Sequence, residues 1–86
     1  MYEVTLERQA ERDLRRLASD LFHRIIPVIR ALGREPRPPG CRKLVGGKSD
    51  YRVRVGPYRV VYEIDDRAKV VRIMRVRHRS SAYRGS

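Results

Sequence analysis

Apolar and polar residues alternate from Tyr2 to Leu6, with Tyr2, Val4 and Leu6 sharing one parity, a spacing that predicts a short pleated strand. From Glu7 to Ala18 the apolar positions are Ala10, Leu14 and Leu17, and Leu21 follows; steps of four, three and four line one stripe of a helix. Ser19 and Asp20 are expected to cap a second helix presenting Leu21, Phe22, Ile25, Ile26, Ile29 and Leu32 and stopping near Gly33, with Phe22 and the isoleucines as core and His23 in solvent. Pro27 predicts a kink or a late start, because it lacks an N–H and clashes with the preceding turn. Residues 33 to 50 hold glycines and prolines at Gly33, Pro36, Pro38, Pro39, Gly40, Gly46 and Gly47 and read as a connection, with Leu44 and Val45 as its anchors.

The remainder reads as a meander of Tyr51 to Val55, a Gly56-Pro57 turn, Tyr58 to Asp65, an Asp66-Arg67 turn, and Val70 to His78. The fold class expected is α+β, in the order β-α-α-β-β-β. A helical hairpin packs on one face of a mainly antiparallel four-stranded sheet, and residues 1 to 86 form one domain.

Alternation then sorts the strand residues into faces. Tyr51, Val53 and Val55 belong with Tyr58, Val60, Tyr62 and Ile64 under the helices, which leaves Arg52, Arg54, Arg59, Val61 and Glu63 on the open face. In the last strand Val70, Arg72, Met74 and Val76 share one parity, and Val71, Ile73, Arg75, Arg77 and Arg79 share the other. The second set is assigned to the open face. Arginines opposite one another across strands repel, so such a cluster is kept against a cost, and phosphates are what it would meet. A merely solvated basic face is the competing reading.

The charge supports a polyanionic partner: 21 Lys and Arg stand against 10 Asp and Glu, a formal +11. A coding bias toward arginine accounts for much of that total, but not for the alternation. Cys41 is the single cysteine and His23 and His78 the only histidines, so no disulfide and no metal-ligand spacing arises. No metal or cofactor is expected. With no apolar run of spanning length and no apolar N-terminal stretch, a soluble protein of the reducing cytoplasm is expected, without a membrane partner.

The segments YRVRVGPYRVVYEID and VRIMRVRHRSSAY are very similar to the C-terminal half of the RelE/ParE toxin superfamily, and the order of elements matches as well. The likeness covers nearly the whole chain and is strongest from Leu44 to Tyr83. For a RelE-like toxin it implies cleavage of messenger RNA on the ribosome by attack of a ribose 2′-hydroxyl on the adjoining phosphate, with a cognate antitoxin as inhibitor and operator DNA reached through that antitoxin. Such chemistry needs a base, cations for the phosphorane and an acid for the leaving oxygen.

Carried over by position, the resemblance implies Arg59, Arg79 and Tyr83 as the catalytic set and Arg52 and Arg54 as phosphate ligands; Arg75 and Arg77, assigned to the open face by alternation, are expected to grip phosphate beside them. Arg52 and Arg54 stand where the best-known members have lysines, and a guanidinium with a pKa above about 12 is a poor base. Tyr83 is therefore assigned to orient or deprotonate the nucleophile, its pKa of about 10 lowered by the surrounding cations, or else to stack on a splayed base. His78 and Glu63 are the other acid or base candidates, though alternation turns His78 away from the arginines and Glu63 suits an ion pair. Two alternatives stand beside this reading: a ParE-like inhibitor of DNA gyrase without nuclease activity, and a noncatalytic RNA-binding domain.

Overall fold

The computed structural model describes residues 1–44 and 50–80, and within them the elements run β1 (Glu3–Leu6), α1 (Arg8–Arg15), α2 (Ser19–Ala31), β2 (Arg42–Lys43), β3 (Asp50–Val55), β4 (Tyr58–Asp65) and β5 (Val70–His78). The sheet has five strands in the order β1-β5-β4-β3-β2, not four. The added strand is the two-residue β2, whose Arg42 and Lys43 pair antiparallel with Arg52 and Tyr51. Two residues are too few for any alternation to announce. β1 lies parallel to β5, from Glu3 beside Val70 to Leu6 beside Ile73, and every other pairing is antiparallel.

Both helices lie on one face of this sheet. Ala10 and Leu14 of α1, Ile25 and Ile29 of α2, and Leu32 are buried with Val53, Val55, Val60, Tyr62, Ile64, Val71, Ile73 and Val76. Each large aliphatic side chain withdrawn from water in this way contributes about 1.5–3 kcal/mol. The N–H of Glu7, the residue before α1, donates to the Ile73 carbonyl at 2.9 Å, so the β1–β5 ladder continues one step past the strand and fixes where the helix starts.

Two details of the helical hairpin differ from expectation. α2 starts one residue earlier: extended Ala18 is its N-cap, without a side-chain cap, and Ser19 and Asp20 fall inside the first turn, where Asp20 still meets the positive end of the dipole. Phe22 is exposed rather than core, because Ile25 and Ile29 alone of this helix point fully inward. The helix also runs through Pro27; His23, whose carbonyl loses its usual donor, and Pro27 are both exposed, so water can take that carbonyl.

The connection after α2 is held by its own contacts. Gly33 accepts from the Tyr2 N–H at 2.8 Å, and a Cβ there would sit 3.0 Å from the Tyr2 carbonyl oxygen and 3.1 Å from Val4 Cγ2. Tyr62, buried in the sheet, donates its hydroxyl to the Pro36 carbonyl at 2.8 Å, and burial pushes that phenol well above the usual tyrosine range. Arg37 reaches Asp66 through two hydrogen bonds of 2.9 and 3.3 Å and Tyr51 Oη at 3.3 Å. The expected anchor Leu44 is half-buried and its N–H donates to the Asp50 carbonyl at 2.9 Å; Val45 lies outside the described residues. Among the described residues no helix is long and apolar enough to cross a membrane.

Candidate functional site

The open face is organised by strand register. Arg54, Arg59 and Arg77 are direct partners across β3, β4 and β5, and so form one row of arginines beside the β3–β4 turn. The next row on this face carries Arg42, Arg52, Val61 and Arg75, and the one after it Asp50, Glu63 and Arg72. Partners in such rows stand about 4.5–5.5 Å apart at Cα, so like charges repel unless something negative lies over them. The face is therefore polarised: cations gather near the β3–β4 turn, whereas toward the β4–β5 turn Glu63 is ion-paired with Arg72. Glu63, proposed from sequence as an acid or base, is thus a half-buried salt-bridge partner.

The last strand does not keep one alternation. Tyr62 pairs with Ile73 but Val61 pairs with Arg75, so Met74 is an extra residue on β5, a bulge that reverses the facing of everything beyond it. The expectation that Val71 and Ile73 lie on the open face is overturned: both are fully buried, and Arg72 takes the open side. After the bulge Val76 is buried and Arg77 joins the arginine row, as expected.

Arg75 behaves differently from its neighbours. Its Nε donates to Asp13 Oδ2 at 2.9 Å, its Nη2 to Asp13 Oδ1 at 3.3 Å and its Nη1 to Gln9 Oε1 at 3.1 Å, so it is committed to α1 and its pKa is raised by the carboxylate. The sequence assignment of Arg75 to phosphate is corrected accordingly. Asp13 also accepts the Val76 N–H at 2.9 Å, covering an edge that β1 leaves bare beyond Ile73.

His78 lies on the helix side, as alternation predicts: it pairs with Tyr58, and the two rings meet edge to face at 5.3 Å. Arg79 is exposed at the end of β5, its N–H donating to the Pro57 carbonyl at 2.7 Å, which sets it next to the turn that the arginine row borders. Tyr83 lies outside the described residues. Arg42 was missed by sequence reasoning, since a two-residue strand inside a Pro- and Gly-rich connection gives no periodic signal. Arg24 was missed too: a Cβ on Gly56 would stand 3.0 Å from its Nη2, so this α2 side chain lies against the β3–β4 turn.

Residues 4–83 match the family described as ParE toxin of type II toxin-antitoxin system, parDE. The chain belongs to the RelE/ParE superfamily of type II toxins. Toxin RelG of Mycobacterium tuberculosis is 36% identical over 87 positions, covering 96% of this chain and 97% of the relative. Among solved structures, the archaeal RelE-RelB complex from Pyrococcus horikoshii superposes with a TM-score of 0.80 at 30% identity, covering 91% of this chain and 94% of that one. The isolated E. coli RelE toxin gives a TM-score of 0.80 at 25% identity, covering 99% and 94%. The five-stranded α+β architecture of this toxin is thus shared with RelE structures.

Proposed function

We propose that this toxin is a ribosome-dependent endoribonuclease that cuts messenger RNA in the cytoplasm and is silenced by a cognate antitoxin. The observation that carries the reading is the row Arg54–Arg59–Arg77, three arginines in direct register on the sheet face opposite the helices. A phosphate diester entering its transition state is a dianionic phosphorane, and fixed guanidinium donors stabilise that charge far more than they stabilise the ground state. The likeness to RelE and RelG toxins supports the same assignment.

In this mechanism a ribose 2′-oxygen attacks the adjoining phosphorus while its proton passes to a base. The bond from phosphorus to the 5′-oxygen breaks, and that oxygen takes up a proton, leaving a 2′,3′-cyclic phosphate and a 5′-hydroxyl. Arg52 and Arg54 hold the flanking phosphates, Arg59 and Arg77 the equatorial oxygens, and Arg79 the leaving oxygen. Tyr83 orients or deprotonates the nucleophile. The reaction uses no metal or cofactor. An acidic antitoxin segment would neutralise the arginine row, and the existence of a RelE-RelB complex in P. horikoshii supports a protein inhibitor; operator DNA would be bound through the antitoxin.

A ParE-like inhibitor of DNA gyrase is the second reading, favoured by the family match itself. In vitro translation with primer extension separates the two. Cuts at defined codon positions that weaken in Arg59→Ala and Tyr83→Phe support the nuclease. Intact message together with inhibited gyrase supercoiling would replace it with the gyrase reading.

A further inference from the structure

A cleft of about 240 Å³ opens beside the outer edge of β5, lined by Asp13, Arg16 and Leu17 of the helical hairpin and by Tyr58, Arg77 and His78 of the sheet. We propose that it is a subsite for one unstacked nucleobase of the RNA whose phosphates lie on the arginine row, an inference that rests on the nuclease reading. Among the described residues β1 stops pairing at Ile73 and no other strand lies beside β5 where the cleft opens, so a single strand of RNA can round that edge. Arg77 belongs to both places: it stands opposite Arg59 on the open face and lines the cleft.

The chemistry of the lining suits a base. Tyr58 and His78 supply two rings set at 85° to one another, so a planar ligand can lie flat on one and meet the edge of the other. The Ser80 backbone N–H donates to His78 Nδ1 at 3.2 Å, and since that N–H can only donate, Nδ1 is the acceptor and Nε2 carries the hydrogen. Arg16 is exposed at the end of α1. Both oxygens of Asp13, in contrast, are occupied by Arg75 and Val76, so the cleft offers donors and rings and little free negative charge.

The test is binding of 2′-O-methyl RNA trinucleotides, which cannot be cut because the nucleophile is blocked, with an abasic sugar placed at each position in turn. Wild type, His78→Ala and His78→Phe are compared, with the imidazole signals of His78 and His23 followed by NMR. At one position, removing the base should weaken binding about tenfold to wild type and scarcely at all to His78→Ala, with His78→Phe intermediate, while His78 shifts and His23 does not. If base removal and His78→Ala act additively at every position, or if an acidic peptide moves His78 and RNA does not, the subsite is overturned. The nuclease reading stands apart from this outcome, because ribosomal cleavage by the wild type is measured separately.

Discussion

Asp13 and Arg75 stand 62 residues apart in the chain and are joined by two hydrogen bonds, one of them 2.9 Å from Nε to Oδ2. The pair ties α1 to the far half of β5 beyond the reach of β1, and the same carboxylate covers the Val76 N–H. Its weight is structural. Removing the carboxylate strands a guanidinium and a backbone donor together, so Asp13→Ala should lower unfolding stability by about 2–3 kcal/mol, read from the urea midpoint at unchanged slope. Arg75→Ala should also destabilise, yet leave the cleavage rate per folded molecule unchanged.

The arginine row predicts the opposite pattern. Arg59→Ala should slow message cleavage by about a hundredfold or more, the usual cost of losing one fixed donor to a developing oxyanion. Removing any one arginine of the row should also make RNA binding less sensitive to salt, lowering the slope by about 0.7 for each phosphate that the side chain neutralises. Arg72→Ala is the control: that residue faces the same side but is ion-paired with Glu63, and cleavage should stay within a few-fold of wild type. Equal losses from Arg59→Ala and Arg72→Ala would mean that the face acts by net charge alone.

The Arg37–Asp66–Tyr2 cluster makes stability depend on pH at both ends. The hydrogen bond from Arg37, then that from Tyr2, holds the Asp66 carboxyl below the usual range, whereas the hydrogen bond to Asp66 raises the Tyr2 phenol. A carboxyl depressed on folding contributes stability above its unfolded pKa and loses it as pH falls through the folded value. A phenol raised on folding contributes below its unfolded pKa and loses that as pH rises through the folded value. Asp66→Asn should therefore flatten the acid limb of the stability profile and, by removing the acceptor's charge, shrink the alkaline limb as well. Parallel wild-type and variant curves from pH 3 to 11 would count against the cluster.

What the amino-acid pattern conveyed and what it hid have a common physical cause. Strict alternation in β3 and β4 placed Arg52, Arg54, Arg59 and Glu63 on one face, and the register places them there. The stripe Ala10, Leu14 correctly marked the buried side of α1. Alternation failed only where the backbone broke its own period. Met74 occupies a bulge, so Val71 and Ile73 on one side of it and Val76 on the other face the same core with opposite parity. A core that reads Val71, Ile73, Val76 under one set of helices is the trace of such an insertion, since no uninterrupted strand can turn all three to the same face. Arg75 was misread for a different reason: a side chain long enough to cross the strand edge is captured by whichever carboxylate lies there, and Asp13 is remote in sequence.

The β3–β4 turn offers a test in which backbone and side chain can be separated. Gly56 has φ of 58°, and a Cβ there would meet Arg24 Nη2 at 3.0 Å; Gly40 has φ of 90° with nothing within 4 Å. Both positions carry the strain of a left-handed backbone, about 1–2 kcal/mol for an L side chain. Gly40→Ala should cost only that. Gly56→Ala should cost the same and in addition displace the Arg24 guanidinium, which is the flexible end of its chain and can move. If Arg24 serves the arginine row by lying against this turn, Gly56→Ala should weaken RNA binding while Gly40→Ala does not, and Arg24→Ala should reproduce the loss without the destabilisation. Binding of the blocked trinucleotide at low salt, set beside urea midpoints for the three variants, measures both. A binding loss shared by Gly40→Ala would trace the effect to stability and remove Arg24 from the RNA surface.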